Sequence, residues 1–80
     1  MTITEILKRD SQFKYRLLNR LQQDCYLFLN GGGRLWGITT EYHAETMIAI
    51  YNDLKVKPNW LTIRELRNLY FRLTKSEYLK

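Results

Sequence analysis

The chain has 80 residues, 45% of them hydrophobic and 14% aromatic, which is enough apolar mass for one small core and too much for a disordered segment. Its one Pro and four Gly leave too little turn material for an all-β fold, so helices are favoured. The net charge of +5 suits an anionic partner as readily as it suits simple solubility, and a single cysteine excludes an intramolecular disulfide and fits a reducing compartment.

Thr2 and Glu5 have capping-box spacing around Ile3, with Ile6 and Leu7 behind them; this predicts a short helix over about 3–9. Asp10-Ser11 is the expected break, where either residue can cap the next helix; a continuous helix through this point is the alternative. From Phe13 the apolar residues recur at helical spacing: Phe13, Leu17, Leu21, Cys25 and Phe28, widened by Leu18 and Leu29. They predict a long helix over about 12–30, with Asn30-Gly31 supplying left-handed geometry at its end.

Thr39 or Thr40 caps a third helix over about 40–54, with Glu41 favourable near its N-terminus. His43, Met47, Ile50, Tyr51 and Leu54 form its stripe, flanked by Ala44 and Ile48. Pro58 disfavours the helical region just before it and closes this segment. Thr62 and Glu65 form a second capping box, and Leu61 and Leu66 have the spacing of a hydrophobic staple across it. A fourth helix over about 62–75 turns Ile63, Leu66, Leu69, Tyr70 and Leu73 to one side. The expected fold is therefore all-α: one domain over 1–80, three main helices and a short N-terminal one. Trp36 and Trp60 each follow a loop, and are expected to plug the two ends of the core; an exposed stacking role for either is the alternative. The chain shows no leader-like run and no window of the ~20 apolar residues that cross a bilayer, so a cytoplasmic protein is expected.

Catalytic readings find little support. Cys25 sits on the apolar arc among Leu18, Leu21 and Leu29, where a thiol is inert. His43 lies on a core-facing stripe, the carboxylates are dispersed, and one Cys with one His cannot build a zinc site. No enzyme activity, cofactor, metal or small-molecule substrate is expected. Gly31-Gly32-Gly33-Arg34 is preceded by a helix, whereas a phosphate-cradling loop needs a strand before it and a helix opening directly after. Arg34 alone remains there as a contact for a partner's phosphate or carboxylate.

Helix four is the informative element. At about 100° per residue, Arg64, Arg67, Phe71, Arg72 and Lys75 share the face opposite Leu66 and Leu73. An aromatic ring within a basic face suits phosphate contact with base stacking, and equally suits docking on an acidic protein. The bland alternative is a solvated face, with Phe71 covered by the N-terminal segment. A helix-turn-helix would need a turn of three or four residues, and the connection from Leu54 to Thr62 is longer.

Arg20, Asp24-Cys25-Tyr26, Asn30-Gly31, Leu35-Trp36, Tyr51-Asn52 and Pro58-Asn59-Trp60-Leu61-Thr62 succeed one another in an order that resembles the large polyvalent protein-associated domains. The resemblance covers roughly residues 14–67. It implies an origin in phages or other mobile elements and supplies no catalytic residues. Together with the basic face of helix four, that origin leads to the expectation of a non-enzymatic protein that binds a host or element protein, or nucleic acid. Inhibition of a host-defence nuclease, such as a CRISPR effector, belongs to that way of life. Mimicry of nucleic acid by acidic charge is not expected from a basic chain.

Overall fold

The computed structural model describes residues 2–32, 35 and 39–76. Of the described residues 71% are helical and none lies in a strand. The helices are α1 (Ile3–Leu7), α2 (Ser11–Leu29), α3 (Thr40–Asp53) and α4 (Ile63–Thr74). The all-α expectation holds, and the three main helices match the predicted ranges to within a residue at either end.

Local chemistry accounts for each boundary. At α1 the reciprocal box is complete: the Glu5 amide donates to Thr2 Oγ1 (3.2 Å) and the Thr2 amide to Glu5 Oε1 (2.9 Å). Hydrogen bonding from Thr2 to the Glu5 carboxyl, through the backbone amide first and then the side chain, holds that carboxyl below its ordinary value. α1 stops at Leu7 rather than near 9 because Asp10 is already extended as the N-cap of α2, its Oδ1 accepting from the Phe13 amide (2.8 Å). The Tyr42 amide donates to Thr39 Oγ1 (3.0 Å) at the start of α3. At α4 the Thr62 hydroxyl accepts from the Glu65 amide (3.1 Å), while the Glu65 carboxylate accepts from Asn68 Nδ2 (3.4 Å). At the end of α2 Gly31 has φ +91, the left-handed geometry for which glycine is the least strained residue.

α3 is the hub. It packs against α1, α2 and α4, and α2 also touches α4. His43, Ala44, Thr46, Met47, Ile50 and Tyr51 of α3 are buried, followed by Leu54. They meet Ile6 from α1, Leu18, Leu21 and Cys25 from α2, and Leu66, Leu69 and Leu73 from α4. Leu61 and Leu66 are both buried, as a staple across the α4 cap requires.

The stripes of α2 and α4 differ in detail from the predicted ones. α2 turns Lys14, Leu18, Leu21, Gln22 and Cys25 inward. Phe13, Leu17 and Leu29 lie half-buried on its flank, and Phe28 is 40% exposed. The face is rotated because Lys14 and Gln22 find buried hydrogen-bond partners, which hydropathy spacing does not register. Ile63, placed on the apolar side of α4, is 39% exposed. Trp60 is a clear correction: it is 41% exposed and is not a core plug. Leu61 takes the inward position, and Trp60 is left at the surface, with its backbone carbonyl accepting from Gln22 Nε2 (3.3 Å). Trp36, the other expected plug, lies outside the described residues.

Lys57, not Pro58, finishes α3. The helix ends at Asp53 and Leu54 turns extended, ψ 126, several residues before Pro58 can act. Lys57 Nζ then reaches back to the carbonyls of Tyr51 (2.6 Å), Asn52 (3.2 Å) and Leu54 (2.6 Å). A helix C-terminus leaves such carbonyls without an intrahelical donor and carries partial negative charge, so a cation there satisfies both needs.

Candidate interaction surface

Cys25 and His43, which sequence reading weighed for possible chemistry, each have a structural partner. Cys25 is fully buried and its Sγ donates to Met47 Sδ (3.4 Å). Burial, then the negative charge of Asp24, pushes its thiol up to about 12 from an ordinary 9.0. The reactive thiolate is therefore suppressed in the folded state. Labelling of native protein by a thiol reagent at pH 8 is expected to run about a hundredfold or more slower than in denaturant, as a time course of released chromophore would show. Below pH 9 the thiol is neutral in both states, and above it the unfolded chain loses the proton first, so stability declines as pH rises towards 12. His43 is also fully buried, with Nε2 2.9 Å from the Leu21 carbonyl. Among the described residues no group of three His, Cys, Asp or Glu could hold a metal ion.

One open concavity of about 600 Å³ lies where α1, α2 and α3 converge, lined by residues that include Leu7, Ser11, Lys14, Tyr15, Asp53 and Val56. Its polar floor is already committed. Lys14 Nζ sits 2.5 Å from Asp53 Oδ2 and 3.5 Å from the Leu7 carbonyl, and the Tyr15 hydroxyl donates to the Val56 carbonyl. This network ties three helices together, and spacing on a single helix gave no sign of it.

The surface of α4 is different in kind. α4 has the strongest two-faced character of the helices, with Leu66, Leu69 and Leu73 inward. Arg64, Arg67, Arg72 and Lys75 are all exposed, and Asn68 joins them. Phe71 is 49% exposed among these cations, so the N-terminal segment does not cover it. Lys75 closes the helix in the left-handed region, φ 63, with its amide donating to the Phe71 carbonyl (2.7 Å). Trp60, two residues ahead of the α4 N-cap, and Ile63, the first residue of α4, are both exposed; sequence reading favours the core for both. Arg34, the remaining candidate, lies outside the described residues.

Charge is segregated between neighbouring helices. α3 carries Glu41, Glu45 and Asp53 and no Lys or Arg. α4 with its cap carries four cations and one carboxylate, the half-buried Glu65. Solubility alone asks for interspersed charge, so a one-sided basic face calls for a further reason. No helix among the described residues is long and apolar enough to cross a membrane.

By fold this is a small all-α bundle that carries a basic, partly apolar outer face. Residues 11–73 match the family of large polyvalent protein-associated domain 11, and the chain belongs to that family. Its setting is the polyvalent proteins of phages and mobile elements. No curated protein and no solved structure matches the chain.

Proposed function

We propose that this chain is a non-enzymatic binding module of a phage or mobile element, working in the cytoplasm of the bacterial host. It engages a host macromolecule through the outer face of α4. Inhibition of a host-defence nuclease, CRISPR effectors included, is the activity that this setting and a small binding face suggest; the nuclease itself, or the nucleic acid it handles, is the target. One observation carries the reading: Phe71 stands half-exposed within a row of arginines on a helix whose other face is fully used by the core. Exposed aromatics and arginines are the side chains that most often anchor binding surfaces.

The test is capture from host lysate by the immobilised protein, with and without nuclease treatment. Wild-type protein is expected to retain a host component, and the Arg64→Glu/Arg67→Glu/Lys75→Glu variant to lose it. Reversing three charges on one face changes its net charge by six, which at close range outweighs the few kcal/mol that hold a typical contact. All three positions are exposed, so the variant should keep its helical circular dichroism. Undiminished capture by that variant would remove α4 as the binding face.

A further inference from the structure

We infer that the α4 face binds single-stranded nucleic acid, its cations tracking the phosphates of one strand while Phe71 and Trp60 offer their rings to unstacked bases. The inference rests on the α4 face being the binding surface and names the partner's chemistry.

Charges and ring share one line. Arg64, Arg67, Phe71 and Lys75 fall within about 80° of arc at 100° per residue; at 1.5 Å per residue Arg67 stands about 4.5 Å beyond Arg64 and Lys75 about 12 Å beyond Arg67, with Phe71 midway between those two. Cations so placed can meet phosphates of a strand laid along the helix, with the ring between them offered to a base. Arg72 sits to the side of that line, where it can reach a strand that leaves the axis.

The aromatics decide between one strand and two. Phe71 and Trp60 are 49% and 41% exposed; Phe71 stands among the cations of α4, and Trp60 lies two residues ahead of its N-cap. In a duplex the faces of the bases are stacked on one another, so a ring on a helix surface finds only phosphate and sugar unless the duplex is deformed. A single strand presents a π-face at every base, and a stacking ring beside a cation is the recurring device for holding one. Groove readout would also need a recognition helix delivered by a short turn. Here nine residues, Leu54 to Thr62, separate the end of α3 from the start of α4. The single carboxylate of α4, Glu65, is half-buried at its cap, and Glu41, Glu45 and Asp53 belong to α3.

Fluorescence anisotropy with labelled dT15, a 15-base-pair duplex and inorganic polyphosphate separates the possibilities. Binding of dT15 is expected to exceed that of the duplex and to weaken about fifty-fold between 50 and 200 mM salt, the slope for four neutralised phosphates on a single strand. Phe71→Leu is expected to weaken dT15 roughly tenfold and to leave polyphosphate binding unchanged, because polyphosphate has charge but no bases. Arg64→Glu with Arg67→Glu should abolish binding of both. No dT15 binding at 50 mM salt, equal or tighter binding of the duplex, or an unchanged affinity in Phe71→Leu would each overturn the inference. If dT15 fails while nuclease-resistant capture of a host protein still depends on Arg64 and Arg67, the strand is the wrong partner and the α4 face stands. If both fail, the face falls with it.

Discussion

Replacing His43 by alanine is expected to remove about 3–4 kcal/mol of stability, on the scale of other large-to-small changes in a core. An 80-residue domain has only about 4–12 kcal/mol in total, so this one change takes a large share of it. His43 is 0% exposed, and it lies on α3, the helix that contacts all the others. Its ring fills the space between α3 and α2 and places Nε2 2.9 Å from the Leu21 carbonyl. Alanine leaves a cavity at that junction and removes the bond. His43→Leu separates the two losses: it refills most of the volume without the polar contact, so it should cost about 1–2 kcal/mol, the worth of the bond and an imperfect fit. Urea unfolding at pH 7, followed by circular dichroism, reads both. A loss in His43→Ala no larger than that in His43→Leu would mean that packing at this position matters little.

The sequence made the helices legible because their ends are written in local chemistry. Thr2, Thr39 and Thr62 all act as caps through a hydroxyl three residues ahead of the amide it accepts from, a relation visible in any window of four residues. The core of α3 was legible too, since His43, Met47, Ile50, Tyr51 and Leu54 obey the helical period; Thr46, buried with its hydroxyl on the Tyr42 carbonyl (2.7 Å), is the polar residue that period leaves out. What escaped were the places where a polar side chain meets a partner far along the chain. Lys14 and Gln22 are buried because Asp53 and the Trp60 carbonyl lie opposite them, 39 and 38 residues away. Period counting treats both as surface residues and so turns α2 by part of a step. Trp60 was misplaced for a related reason. Ring size argues for burial, but Leu61 beside it has the better claim through the staple on Leu66. The basic row on α4 was legible from angles alone. The exposure of Ile63 and Trp60 was not, because exposure of a large hydrophobic residue runs against the rule that places it inside.

The buried ion pair yields an expected asymmetry. Lys14 Nζ and Asp53 Oδ2 are 2.5 Å apart, but their side chains are unequally covered: 11% of Lys14 is exposed against 38% of Asp53. Asp53→Ala leaves an ammonium in a largely dry site with only the distant Leu7 carbonyl, at 3.5 Å, to receive its protons. Removing one partner of a fully buried pair costs about 3–5 kcal/mol; with Asp53 partly in water the expected loss is about 2–3 kcal/mol. Lys14→Met takes the opposite path. Its stem replaces the lysine stem along the same apolar route, and the carboxylate it abandons already reaches solvent. That loss should stay within about 1 kcal/mol, since a well-packed apolar side chain often substitutes for a buried charge at little cost. The order Asp53→Ala worse than Lys14→Met therefore comes from unequal burial, and the pair's own attraction, common to both variants, cannot produce it. Equal losses from the two variants in urea unfolding would show that the attraction dominates. A reversed order would show that the lysine stem, rather than its charge, holds α1, α2 and α3 together.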